Sequence, residues 1–195
     1  KGRTFMEKLR SGSTVSGYIL TDLLGAGGFA SVYKARSVGP DAAFGSFIAV
    51  KILHPRRIDR TMVQKFREEA RTSLALRHEN IITVHDFQEF EGNFLILMEL
   101  ADDDLGRFAH KSPLSFEQIM SVMKRAGQGL AFAHRKGIVH RDFTPSNILV
   151  SGGLASVKIT DFGISGKANI FLRSILPGQP DSQSGTQAYF APEQY

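Results

Sequence analysis

The chain has 195 residues, 42% of them hydrophobic and 22% charged, with a formal net charge of +5, the balance of one ordinary globular domain. It contains no cysteine, which excludes disulfides and thiolate metal sites, and its six histidines show no metal-ligand spacing. The longest apolar run, Phe94 to Met98, is far short of the roughly 18 residues that cross a bilayer, and no secretory signal opens the chain.

Residues 1–17 are polar, basic and rich in Ser and Gly, the composition of a flanking linker or arm. Strands are expected over Tyr18–Leu24, Ala30–Arg36 and Phe47–Leu53, with a turn over Ser37–Ser46. A helix is expected from Thr61 to Leu76, where Phe66, Glu69, Ser73 and Leu76 share one face. The basic excess between Arg56 and Arg77 reads as its solvated side, because it lacks the aromatic interleaving of a nucleic-acid surface. Two more strands, Ile82–Glu89 and Asn93–Leu100, meet at the turn Glu91-Gly92. After the acidic joint Asp102-Asp103-Asp104 a long helix fits Ser115–Lys136. Ser115 and Gln118 form its capping box and Gly137 ends it. Phe116, Ile119, Met120, Met123, Leu130 and His134 are expected to make its inner stripe. Short strands near Ile148–Val150 and Val157–Ile159 precede a loop-like stretch, 161–193. A β-rich half with one helix, then a helical half, is an α+β arrangement of two lobes.

Five motifs carry chemistry. Gly25-Ala26-Gly27-Gly28-Phe29-Ala30 joins two strands; glycines there let backbone N–H groups approach phosphates, although a plain hairpin turn would explain them equally. A strand after the glycines, rather than a helix, excludes a dinucleotide-binding turn. Ile48-Ala49-Val50-Lys51 sets an ammonium beside apolar surface. Glu69 lies on the apolar face of the next helix, where an unpaired carboxylate is costly, so pairing with Lys51 would relieve it. Glu68 is the competing partner, about 100° away around the helix. The remaining motifs are His140-Arg141-Asp142-Phe143-Thr144-Pro145-Ser146-Asn147, Asp161-Phe162-Gly163, and Gly185-Thr186-Gln187-Ala188-Tyr189-Phe190-Ala191-Pro192-Glu193.

All five, in this order and on these elements, resemble the eukaryote-type (Hanks-type) protein serine/threonine kinase family from Tyr18 to Tyr195. The resemblance implies a bilobal α+β fold: a five-stranded antiparallel N-lobe sheet with one helix over 18–101, and a mainly helical C-lobe over 102–195. That lobe would be incomplete after Ala191-Pro192-Glu193, as in a C-terminally truncated catalytic domain, exposing apolar surface on the long helix. By the same resemblance Gly25, Ala26, Gly27 and Gly28 would cover the phosphates of ATP, and Val32, Ala49 and Leu149 would enclose the adenine. Met98 would be the gatekeeper, and Glu99 to Ala101 the adenine-contacting hinge. One of Asp102 to Asp104 would reach the ribose. Lys51, held by Glu69, would bind the α- and β-phosphates. Asp142 would accept or orient the substrate hydroxyl proton, and Asn147 and Asp161 would hold Mg²⁺, or Mn²⁺ in its place.

Arg141 would pair with a phosphate on the activation segment, where Ser182 and Ser184 are the expected sites. The spelling around Gly185-Thr186 and Ala191-Pro192-Glu193 is similar to that of Ser/Thr kinases. Thr144 stands where such kinases usually carry a lysine that contacts the transferring phosphate; that spelling is similar to some bacterial members. The implied partners are ATP and protein substrates, with a transient dimer for phosphorylation in trans, and no nucleic acid or membrane contact from this segment. The implied location is cytoplasmic, compatible with a membrane anchor outside the segment. Two other readings stand beside the kinase one: a nucleotide-binding pseudokinase or scaffold, to which Thr144 points, and a small-molecule phosphotransferase, which would not need residues 185–193.

Overall fold

The structure is a computed structural model that describes residues 9–26, 30–39, 45–53, 64, 67, 70, 71, 73–90 and 93–162. The chain divides into two compact units, Lys1–Ala75 with Thr83–Leu100, and Leu76–Ile82 with Ala101–Tyr195.

Among the described residues the first unit holds six strands: β1 Thr14–Val15, β2 Tyr18–Ala26, β3 Ala30–Ser37, β4 Phe47–Leu53, β5 Val84–Phe90 and β6 Asn93–Met98. They form one antiparallel sheet in the order β1-β2-β3-β4-β6-β5. Five of them are the expected ones; β1 is an addition at the edge. Val15 pairs with Tyr18 across Ser16 and Gly17, which have φ of 48° and 81°. Two positive φ values give the two-residue hairpin turn whose twist matches its strands. Val15 is buried, so part of the Ser/Gly-rich arm joins the core; two residues are too few to show a period.

The two faces of this sheet have different occupants. Ile48, Val50 and Ile52 of β4, Leu95 and Leu97 of β6, and Leu20 and Ala35 pack into one apolar core with Val15 and Tyr18. The alternate residues Ala49, Lys51 and Leu53 look to the other side, opposite Met98, Ile96 and Phe94 of β6. Gln64, Arg67, Ala70, Arg71, Ser73 and Leu74 are helical, within the expected helix. The Arg67 guanidinium pairs with the Glu89 carboxylate and lies 5.9 Å from the centre of the Phe94 ring. Helix and Lys51 therefore share one side of the sheet. Ser73 and Leu76 of the expected helix face are buried; Phe66 and Glu69 lie outside the described residues.

In the second unit β7 Asp103–Asp104, β8 Ile148–Ser151 and β9 Ser156–Ile159 form a small sheet in that order. Beside it lie α1 Leu105–Lys111, α2 Phe116–Arg135 and a 3₁₀ turn, Pro145–Asn147. Helix α2 starts as expected. The Ser115 side chain accepts from the Gln118 N–H (3.3 Å), and the Gln118 side chain accepts from the Ser115 N–H (2.8 Å), so two N–H groups with no partner inside the helix are satisfied. It stops at Gly137, whose φ of 73° belongs to the left-handed region glycine occupies freely.

The buried stripe of α2 differs from the expected one. Val122, Ala126, Gly129 and Ala133 are buried and, except for the glycine, join the core of this unit with Leu76, Ile81, Ile148, Val150, Val157, Ile159 and Phe162. Phe116, Ile119, Met120 and Met123 are 75%, 44%, 52% and 49% exposed, and His134 is exposed too; only Leu130 packs against the core. The helix is turned by roughly 100°, one residue's worth of rotation. Small side chains win that side because they allow close approach. A Cβ built on Gly129 would lie only 2.7 Å from the Asn80 carbonyl oxygen, so a large stripe could not occupy it.

Candidate active site

The phosphate- and adenine-facing candidates of the first unit gather on one sheet face. Val32 is opposite Lys51 in the β3–β4 pairing, Ala49 is opposite Met98 in the β4–β6 pairing, and Gly25 is opposite Val32. Residues directly opposite in an antiparallel ladder point the same way, so Val32, Ala49, Lys51 and Met98 form one patch, on the side away from the apolar core. Lys51 is buried and lies inside β4, with Ile52 and Leu53 continuing the strand. A buried ammonium is costly unless it is partnered, which sets Lys51 apart from a solvated strand-end lysine. Glu99 is tied to Thr83: its N–H donates to the Thr83 carbonyl (2.9 Å), and its carboxylate accepts from the Thr83 N–H (3.2 Å). Among the described residues no atom lies within 4 Å of a Cβ built on Gly25. Gly27, Gly28 and Glu69 lie outside the described residues.

In the second unit the loop from His140 to Asn147 joins α2 to β8. His140 is its anchor and is buried. Its Nε2 meets the Thr160 carbonyl at 2.7 Å, and its Nδ1 accepts from the Asp142 N–H at 3.3 Å. A carbonyl only accepts, so Nε2 carries the proton and the ring is neutral. Burial pushes the His140 pKa below its ordinary value, against the opposing pull of the Thr160 carbonyl and the charges of Asp161 and Asp142. The ring also meets Phe162 edge-on, with centroids 4.7 Å apart. One histidine thus ties the Asp142 loop to the residues on both sides of Asp161. No local pattern assigns His140 a role, because only the fold brings Thr160 to it.

Asp142 is held at three points. Besides its N–H on His140, its backbone carbonyl and its carboxylate Oδ2 both accept from the Asn147 side-chain amide, at 2.8 and 3.0 Å. Among the described residues Oδ1 has no such partner. With Asn147 Nδ2 donating to Asp142, the carbonyl oxygen Oδ1, the amide atom able to coordinate a cation, is left for one. Asn147 also accepts through its backbone carbonyl from the Thr160 N–H at 3.0 Å, which sets Asp161 beside it in the chain path. Arg141 and Asp161 have φ of 67° and 62°, a region non-glycine residues rarely occupy. Arg141 is exposed.

Thr144 is buried, and its Oγ1 lies 2.8 Å from Ser146 Oγ. Leu149 sits on β8 opposite Asp104 of β7, with Ala101 just before the β7 edge. The three acidic residues after it all serve the unit's own structure. Asp102 accepts from the Gly152 N–H (2.8 Å), Asp103 pairs with Lys111 (2.6 Å), and Asp104 caps α1 through the Arg107 N–H (2.9 Å). The Lys111 ammonium holds the Asp103 carboxyl below its ordinary range. The activation segment, with Ser182, Ser184 and the motif at 185–193, lies outside the described residues.

Comparison with known proteins shows the family of the chain. The sequence profile of the family described as "Protein kinase domain" matches residues 18–194. Similar proteins include the serine/threonine-protein kinase PknA of Mycobacterium tuberculosis, 34% identical over 95% of this chain and 43% of its own length. PrkC of Bacillus subtilis is 32% identical over 94% of this chain and 28% of its own. PknB of Mycobacterium leprae is 36% identical over 91% and 28%. The chain spans less than half the length of these relatives.

Proposed function

The chain belongs to the protein kinase family, and on that premise we propose that it transfers the γ-phosphate of ATP to serine and threonine hydroxyls of proteins. The observation that carries this reading is the state of Asp142. Its backbone is pinned at both N–H and C=O, one carboxylate oxygen is held by Asn147, and the other has no hydrogen-bond partner among the described residues. Phosphoryl transfer needs positioning and charge neutralisation more than covalent help. A carboxylate aimed this way can take the proton of a hydroxyl as that oxygen bonds to the γ-phosphorus and the bond to the departing ADP oxygen breaks.

The other residues take complementary roles. Lys51, with Glu69 as its partner, neutralises the α- and β-phosphates. Gly25, Ala26, Gly27 and Gly28 cover the phosphates with backbone N–H groups. Val32, Ala49 and Leu149 contact the adenine, Met98 limits the depth of its site, and Glu99 to Ala101 offer hinge backbone to it. The donor set of Asn147 Oδ1 and the Asp161 carboxylate fits a hard divalent cation, because both are oxygens and the amide nitrogen is already committed to Asp142. When bound, Mg²⁺, or Mn²⁺ in its place, supplies charge neutralisation at the phosphate oxygens. Arg141 receives a phosphate on the activation segment, at Ser182 or Ser184, placed there by a second copy in a transient dimer. No helix among the described residues is long and apolar enough to cross a membrane; we place the activity in the cytoplasm, without nucleic-acid or membrane contact by this segment.

Thr144 favours one other reading. With its hydroxyl on Ser146 the loop lacks the usual lysine, as a nucleotide-binding pseudokinase would. Incubating the full-length protein with labelled ATP and Mg²⁺, beside Asp142→Asn, separates the two. Label on serine or threonine that vanishes in the variant is the expected result. A folded, ATP-binding protein that takes no label would overturn the kinase reading.

A further inference from the structure

Residues 78–82 run beside β9, and backbone pairing alone leaves them one hydrogen bond short. The Ile159 N–H donates to the Asn80 carbonyl (2.9 Å), and the Ile82 N–H donates to the Ile159 carbonyl (2.8 Å). These are the two bonds of a parallel bridge between Ile81 and Ile159. The next bond of a parallel ladder would run from the Asn80 N–H to the Val157 carbonyl. That N–H is turned instead to His78 Nδ1 (3.1 Å), and the Asn80 side chain replaces it, Nδ2 donating to the Val157 carbonyl at 3.0 Å. Asn80 is only 5% exposed, and α2 passes over it at Gly129, where a Cβ would approach its carbonyl to 2.7 Å. A single side chain therefore completes the grip of this segment on β9.

What β9 carries next makes that grip matter. The Thr160 N–H donates to the Asn147 carbonyl (3.0 Å), and the Thr160 carbonyl meets His140 Nε2 (2.7 Å). The following residue is Asp161, at φ 62°. Hydrogen bonds at 157, 159 and 160 thus set the height from which the Asp161 carboxylate projects.

We infer that Asn80 is a positioning residue for Asp161, acting through its side-chain N–H on the Val157 carbonyl. The inference rests on the kinase reading in so far as Asp161 is taken as a metal ligand; the mechanical link through β9 does not. An aspartate at 80 has the same shape but no N–H to give and sets an oxygen against the Val157 carbonyl. It separates donation from packing.

The test uses the full-length protein and Asn80→Asp, with Asn80→Ser as a variant that keeps a donor of shorter reach. Two readouts are taken on protein whose fold is checked by circular dichroism. Amide hydrogen exchange should speed up at Ile159 and Thr160 by about tenfold in Asn80→Asp and less in Asn80→Ser, with Val50 and Ile52 unchanged. The Mg²⁺ concentration that half-saturates ATP binding, measured without turnover, should rise on the order of tenfold, as for other residues that orient metal ligands indirectly, while metal-free nucleotide affinity stays put. Wild-type exchange at Ile159 and Thr160 in folded Asn80→Asp would overturn the inference, and so would an unchanged Mg²⁺ requirement. If Asn80→Asp does not fold, Asn80→Ser decides on the same two readouts. A wild-type protein that binds Mg²⁺ and ATP but transfers no phosphate sinks the kinase reading, and the inference is still decided by these readouts.

Discussion

Asn147 holds Asp142 at two points through its side-chain amide nitrogen, 2.8 Å to the backbone carbonyl and 3.0 Å to carboxylate Oδ2. The same two bonds orient the carboxylate and commit the amide nitrogen, leaving its oxygen for a cation. Replacing Asn147 by Asp exchanges the donor for an acceptor and brings two carboxylates together. We expect kcat to fall by about 10²–10⁴, the span of a lost general base, and Asp142→Asn to fall within the same range. The double variant should be little worse than either single one, because the pair acts as a unit. Multiplying losses in steady-state kinetics would show two independent roles.

His140 predicts an acid limit. Its folded pKa is lowered, chiefly by burial, so the folded state binds fewer protons than the unfolded one. Its contribution is then constant above the unfolded value, near 6.5, and stability declines as pH falls below that toward the folded value. Protonating Nδ1 also removes the acceptor for the Asp142 N–H. Thermal melts between pH 8 and 5 should show Tm dropping below about pH 6.5. His140→Phe should be less stable throughout but show a flatter slope. Equal slopes in the two proteins would assign the acid limit to another group.

Thr144 can be tested as structure against chemistry. Its hydroxyl is buried and engaged with Ser146, which is itself exposed and can turn to water. Thr144→Val keeps the shape and removes the hydroxyl. Stability should fall by about 0.5–1.5 kcal/mol, one ordinary hydrogen bond, and kcat by less than about tenfold, below the range for a proton-transfer group. A loss beyond a hundredfold with the fold intact would mean that Thr144 acts on the substrate.

Two glycines of α2 should answer alanine with opposite signs. At Gly127 a Cβ meets nothing within 4 Å among the described residues, and the helix gains up to about 1 kcal/mol of intrinsic preference. At Gly129 the Cβ would meet the Asn80 carbonyl at 2.7 Å and Ile159 Cδ1 at 3.2 Å. Backbone and a core residue cannot both yield cheaply, so overpacking of about 1–3 kcal/mol outweighs that gain. Urea unfolding should rank Gly127→Ala above the parent and Gly129→Ala below it. A stabilised Gly129→Ala would show that α2 can draw back from residue 80.

Strands β2 to β6 were legible as short apolar, β-branched stretches bounded by turn residues, and the start of α2 because a capping box lies within four residues. The hairpin of β1 was not, since two strand residues carry no period and its Ser-Gly turn has a linker's composition. The inner face of α2 was misread for a physical reason. Hydrophobicity ranks Phe116 and Met120 above Ala126 and Gly129, but closeness of approach selects the small ones. The strand expected from Ile82 begins only at Val84, and just before it Ile81 pairs with Ile159, a partner no local pattern could name.

The sequence by itself determined which chemical groups the chain owns and in what order: the glycine turn, Lys51, Asp142, Asn147 and Asp161, at spacings that mark the family. Only the tertiary structure decided how those groups are held. The Asn80 amide meets a carbonyl 77 residues away, and His140 reaches Thr160 across 20. Hydrogen-bond direction and close packing depend on the path of the backbone through space, and that path is settled by the whole core rather than by any local run of residues.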